Sequence, residues 1–152
     1  MEASPEDFFT PAVPLDFVYN YRVGTYIERY LEGFKEKKIL ASRCGDCGKV
    51  AVPPRMYCGP CNGRMEELLE VSQQGSLENF TIGHVLLEKG AVKAAPSPYM
   101  LGLIKLDGAD SLLLARVEGV NAGAGALGMR VRAVWKDEVG GDYNDLDHFE
   151  PA

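Results

Sequence analysis

Four cysteines fall within eighteen residues, as Cys44-Gly-Asp-Cys47 and, after a ten-residue gap, Cys58-Gly-Pro-Cys61. Two CxxC pairs at this spacing are what a zinc ribbon needs. Each pair makes a tight knuckle whose thiolates converge on one ion, and the linker returns as a hairpin to supply the second pair. Gly45 and Gly48 flank the first knuckle and Gly59 and Gly63 the second, where positive φ lets backbone amides turn toward sulfur. The alternatives are two disulfides or four unrelated thiols. A reducing cytosol disfavours the disulfides, and the N-terminus carries neither the basic nor the apolar region of a secretory signal, so a cytoplasmic location is expected. The same cage would also take iron. Four thiolates leave no open position for a water, so the expected role of one metal ion held by Cys44, Cys47, Cys58 and Cys61 is structural.

Other chemistry-bearing groups are sparse. The two histidines, His84 and His148, lack metal-ligand spacing; His84 reads as a strand residue at a barrel surface. Gly123-Ala-Gly125-Ala-Leu-Gly128 satisfies G-x-G-x-x-G. The residues after it alternate as a strand rather than opening a helix, however, so the dinucleotide reading fails on context. No catalytic grouping emerges, and none is assigned.

Charge is unevenly spread over the 152 residues, whose net charge is -6. Residues 22–64 hold nine Lys/Arg against four acids, whereas the flanks are acidic. An acidic whole argues against a general nucleic-acid binder, which needs a broad positive field. The basic middle is either a solvated face or a site for a compact anion. No apolar run approaches the length of a membrane span.

The elements that must position the cysteines follow from periodicity. Residues 1–21 are acidic and Pro-rich with interspersed aromatics, and read as an extended arm. Thr25-x-x-Glu28 has the form of a capping box, followed by Tyr26, Ile27, Tyr30, Leu31 and Phe34 on one helical face. This predicts an amphipathic helix within 22–38, running from Tyr26 to about Lys37, whose stripe meets either its own core or a partner. The zinc ribbon is expected over 39–70. Beyond it the pattern is strand-like: Ser76–Leu87, with Phe80, Ile82 and Leu86 on one face; Tyr99–Leu106; Leu112–Val117; and Met129–Lys136. Short strands with Gly/Pro turns indicate a small barrel over 71–136. Glu88–Pro98 reads as a binding or covering loop, and 137–152, with six acids and no Lys or Arg, as a mobile or interacting tail. The fold class expected is mostly β with an N-terminal helix, a zinc ribbon and an OB-fold barrel.

That order, with particular residues, resembles the family of small bacterial and archaeal proteins that carry a rubredoxin-like zinc ribbon followed by an OB-fold. These are often encoded beside thiolases and described as acyl-CoA-associated. The matching pieces are Tyr30-Leu-Glu-Gly-Phe-Lys35, Arg43-Cys-x-x-Cys-Gly48 and Pro53-Pro-Arg55-x-x-Cys58-x-x-Cys61. In the barrel they are Phe80-Thr-Ile82, Pro98-Tyr-x-x-Gly102 and Gly128-x-x-Val131. The resemblance covers about residues 20–136. It implies a non-catalytic accessory subunit of a thiolase-superfamily enzyme that makes or breaks carbon–carbon bonds in acyl-CoA. The residues agree on one point: thiolase chemistry needs a free cysteine nucleophile, and here every cysteine is assigned to metal. Arg43, Arg55 and Arg64, near the knuckles, are the candidates for the phosphates of coenzyme A, because guanidinium grips phosphate bidentately. The helix face and the N-terminal arm are the candidate contacts with the catalytic subunit in a hetero-oligomer. Two further readings are a module for single-stranded nucleic acid, disfavoured by the acidic barrel and its few aromatics, and an iron-bearing electron carrier.

Overall fold

The computed structural model describes residues 22–88, 91–121 and 126–152. The expected N-terminal arm therefore lies outside the described residues. The chain opens with α1 (Thr25–Phe34) and continues through β1 (Ile39–Arg43), β2 (Val50–Ala51) and β3 (Glu67–Val71), which form an antiparallel sheet in the order β2-β1-β3. Five strands follow: β4 (Gln74–Glu88), β5 (Ala91–Leu106), β6 (Leu113–Val117), β7 (Arg130–Trp135) and β8 (Leu146–Pro151). They close into a barrel in the order β4-β5-β6-β8-β7. The expected class, a mostly β chain with one helix, a ribbon and a small barrel, is what forms.

The helix differs from expectation at both ends. Gly24, at φ 80, occupies the N-cap with no side-chain hydrogen bond, so the Thr25–Glu28 capping box does not form. The helix stops at Phe34, and Lys37 adopts φ 54 while the Lys38 amide returns to the Gly33 carbonyl. The apolar stripe turns inward. Tyr30 and Phe34 are buried, their rings 4.6 Å apart, and Phe34 meets Trp135 of β7 edge-on at 4.9 Å. Gln73 ties this junction together: its amide nitrogen donates to the Lys37 carbonyl, and its oxygen accepts from the Trp135 indole, both at 2.7 Å. Tyr30 and Phe34 are therefore unavailable to a partner, while Tyr26, Ile27 and Leu31 stay half-buried. A single apolar core runs from these helix residues through Ile39, Ala41, Val50 and Val52 into Leu77, Ile104, Val131 and Phe149 of the barrel.

Residues 137–152 correct the tail reading. Leu146–Pro151 is β8, paired antiparallel with β7 and in parallel with β6. Phe149, fully buried, closes the barrel, so the barrel extends to Pro151 rather than ending at 136. The acidic residues hid the strand because Asp147 and Glu150 decorate the faces left to solvent, Glu150 pairing with Arg132 across β7. The expected Glu88–Pro98 loop is also strand: β5 starts at Ala91 and pairs with β4 as a hairpin that outruns the barrel. Register shifts at Leu77/Asn79 and Gly83/Val85 change which residues face inward. Phe80 and Ile82 pack on the core, but Leu86, expected on their face, is exposed. His84 lies exposed on β4, as expected. After Gly128 no helix opens; β7 begins at Arg130.

Candidate metal centre and basic clefts

Two knuckles of matching geometry bring the cysteines together. In the first, the Cys44 amide donates to the Lys49 carbonyl at 2.8 Å and the Gly48 amide to the Cys44 carbonyl at 3.0 Å. In the second, the Cys58 amide donates to the Gly63 carbonyl and the Asn62 amide to the Cys58 carbonyl, both at 2.9 Å. Left-handed backbone is needed once in each. Gly48 supplies it at φ 72, but in the second knuckle Asn62 does so at φ 57 rather than a glycine. Gly63 gives close approach instead: a Cβ there would sit 2.2 Å from Asp46 Oδ2 and 3.1 Å from Cys44 Sγ, so a side chain would displace the Asp46 carboxylate and crowd the cage.

The four Sγ atoms lie within 4.8 Å of one another. Three of their separations are 3.5 Å (Cys44–Cys61), 3.6 Å (Cys47–Cys58) and 3.4 Å (Cys47–Cys61). A tetrahedral zinc with sulfur at about 2.3 Å sets its ligands about 3.8 Å apart, so these three pairs need only a small outward shift to reach their coordinating distance. Cys44 and Cys58 are buried, Cys47 and Cys61 exposed. The Cys47 and Asp46 amides, aimed at Cys44, hold its thiol down at about 7. At Cys61 the Gly63 amide pulls downward, yet the neighbouring thiols of Cys47 and Cys44 outweigh it and push the group up to about 12. Four thiolates in contact cannot all ionise without a cation between them. A divalent ion resolves that conflict, and the donor set therefore fits zinc.

The three candidate arginines do not converge. Arg43 and Arg64 share one cleft with Asp46, Glu66 and Glu67. Arg43 Nε is 3.3 Å from Glu67, and Arg64 Nε is 3.3 Å from Glu66 while its guanidinium also donates to the Tyr57 hydroxyl at 3.2 Å. Arg55 lies in a different cleft of about 160 Å³, with Lys49, the second knuckle and Asp110–Ser111. Its backbone is clamped by the buried Ser42 hydroxyl, which accepts from the Arg55 amide at 2.9 Å and donates to its carbonyl at 3.0 Å. Periodicity did not reveal Ser42, nor the Asp110–Ser111 pair that docks the barrel on the ribbon. Both act through contacts distant in sequence and leave no local signal.

Comparison with known proteins rests on these two modules. Residues 31–66 match the ChsH2 rubredoxin-like zinc ribbon domain, and residues 69–136 match the ChsH2 C-terminal OB-fold domain. The chain belongs to the ChsH2 family. No protein of curated function matches it. Two solved structures share the fold of this ChsH2-family chain. A DUF35-family protein of unknown function from Sulfolobus solfataricus is 23% identical, with 85% of this chain and 87% of that one covered at a TM-score of 0.62. The Ltp2-ChsH2(DUF35) aldolase is 20% identical, with 87% of this chain and 98% of that one covered, also at a TM-score of 0.62. Among the described residues, no helix is long and apolar enough to cross a membrane.

Proposed function

We propose that the chain is a non-catalytic, zinc-bearing accessory subunit of a thiolase-type enzyme, helping to bind acyl-CoA and to assemble a complex that makes or breaks carbon–carbon bonds. The observation that carries this reading is the commitment of all four cysteines to one closed sulfur cage, which leaves the chain no thiol nucleophile for acyl transfer. The zinc ribbon and OB-fold together match a family whose ChsH2(DUF35) member was solved in an aldolase named jointly with a second component, Ltp2. Catalytic residues then reside in the partner chain. For the CoA phosphates, Arg55 is the arginine to favour: among the described residues it has no carboxylate within ion-pair distance, whereas Arg43 and Arg64 are each neutralised by a glutamate.

Native mass spectrometry of the protein, purified gently from its own cells, tests the reading. A complex with a chain of thiolase size and one zinc is the expected result; a zinc-loaded monomer without a partner would overturn it. In the assembled complex, Arg55→Ala is expected to weaken CoA binding about tenfold or more, the scale of a charge-assisted phosphate contact. Unchanged affinity removes Arg55 from the site.

A further inference from the structure

Beyond Gly83 and Tyr99, β4 and β5 leave the barrel and continue as a two-stranded arm. At its base the Tyr99 ring lies over Gly83, where any Cβ would stand 2.2 Å from the ring, and the Tyr99 hydroxyl donates to the Val85 carbonyl at 2.8 Å. Farther out, Val85 pairs with Ala94, Leu86 with Lys93, Leu87 with Val92 and Glu88 with Ala91. β4 meets β7 only over Gln74–Ser76, and β5 meets β6 only over Met100–Ile104, so among the described residues no other strand pairs with the arm. Cross-strand partners share a face. Val85, Leu87, Val92 and Ala94 therefore make one uncharged apolar face, while the opposite face carries Leu86 and the Lys93–Glu88 ion pair at 2.7 Å. Leu87 is 80% exposed, Val92 69% and Val85 54%. A lone two-stranded ribbon is marginal in water, and grouped apolar side chains of this size mark an interaction site.

We propose that this arm anchors the chain in its catalytic subunit, seating the Val85, Leu87, Val92 and Ala94 face against an uncharged apolar groove of that protein. The proposal rests on the subunit reading above and names the surface that serves it. Charge and size select the occupant. Among the described residues the arm's apolar face bears no lysine, Lys93 pairs with Glu88, and the whole chain carries -6, so an anionic lipid surface is disfavoured. Two copies pressed together by so few side chains would fall well short of the ~800 Å² per partner of a stable interface. A larger protein that takes the arm as one of several contacts meets that requirement. The buried positions of Tyr30 and Phe34 remove two anchors from the helix face, while Leu87 and Val92 of the arm are the most exposed large apolar side chains among the described residues.

The test uses full-length chain and the thiolase-type protein that co-purifies with it. Leu87→Asp and Val92→Asp are expected to raise the dissociation constant at least about 30-fold, the size of an interface hot spot. Zinc content and melting temperature should stay unchanged, because both side chains are largely exposed. Lys93→Ala, on the opposite face, should bind within about threefold of wild type. If Leu87→Asp also binds within threefold, the arm is not the anchor and the subunit reading survives. If wild type forms no complex with a thiolase-type protein, the subunit reading fails and the arm proposal falls with it. Self-association, or capture by phosphatidylcholine vesicles, that Leu87→Asp abolishes would assign the arm to a second copy or to lipid and overturn the proposal.

Discussion

Cys47 and Cys61 stand exposed while Cys44 and Cys58 are buried beneath them, so each knuckle offers one sulfur to solvent and one to the interior. Loss of a single ligand matters because the knuckle loops themselves have little apolar packing beside the sulfur cage. Around the cage, among the described residues, only Ala51 and Met65 join the two buried cysteines in an apolar cluster separate from the main core. Structural zinc in such small units contributes about 10–16 kcal/mol of apparent binding free energy to folding. Cys47→Ser is therefore expected to release the metal and unfold residues 44–65, read as less than one zinc per chain and lost amide protection in that segment. Ser42 is a second test at this scale. Its buried hydroxyl serves both the amide and the carbonyl of Arg55, and Ser42→Ala leaves both without that partner. The expected cost is about 1–3 kcal/mol, measured by denaturant unfolding, with the zinc retained.

At the level of elements, the last loop shows how a strand can be hidden in acidic sequence. Asp145 Oδ2 accepts from the amides of Gly140, Gly141 and Asp142, at 3.0, 2.6 and 2.8 Å, and so folds the turn that delivers β8. These amides, that of Asp142 foremost, hold the Asp145 carboxyl below its usual range, and Lys136 adds to the effect. A carboxyl whose folded value is depressed stabilises the fold fully above its unfolded value, near pH 3.9, and loses that contribution as pH falls through the folded value. Asp145→Asn is accordingly expected to lower the melting temperature at pH 7 and to flatten the fall in stability below about pH 4, as followed by thermal melts across pH 2–7. Much of the architecture was legible because its signals are local: the CxxC pairs, the stripe from Tyr26 to Phe34, and the alternation from Met129 onward. What escaped depends on partners distant in sequence. Register shifts interrupt β4 at Leu77/Asn79 and Gly83/Val85, and beyond the second the strand leaves the barrel, so Leu86 is exposed where strict alternation placed it with Phe80 and Ile82. β8 buries Phe149 between strands that no local pattern names. The arginines near the knuckles looked equivalent in sequence, and only the fold reveals that Glu67 and Glu66 neutralise two of them.

For the molecule as a whole, the question is whether the ribbon and the barrel behave as one body. Asp110 and Ser111, in the connection between β5 and β6, lie against β2 like a short extra strand. The Asp110 amide donates to the Val50 carbonyl, and its carboxylate accepts from the Val50 amide, each at 2.8 Å. The Ser111 hydroxyl accepts from the Val52 amide at 2.7 Å and donates to its carbonyl at 2.9 Å. These bonds fix the metal-bearing ribbon against the barrel, while the core shared by Tyr30, Phe34, Val50, Val52 and Phe149 continues beneath them. Ser111→Ala removes two bonds at once and leaves both Val52 backbone groups part-buried without that partner, a loss of about 1–3 kcal/mol. Because zinc binds only the folded ribbon, and the ribbon is braced by the barrel, this cost must also appear in metal affinity by linkage. Ser111→Ala is expected to retain a folded barrel, to melt lower, and to yield zinc to a competing chelator more readily than wild type. Were zinc affinity to stay constant while the melting temperature fell, the two modules would be energetically independent and the shared core would carry no coupling. A parallel fall in both quantities would establish that occupancy of the sulfur cage sets the rigidity of the barrel, and with it the geometry in which the β4–β5 arm is presented.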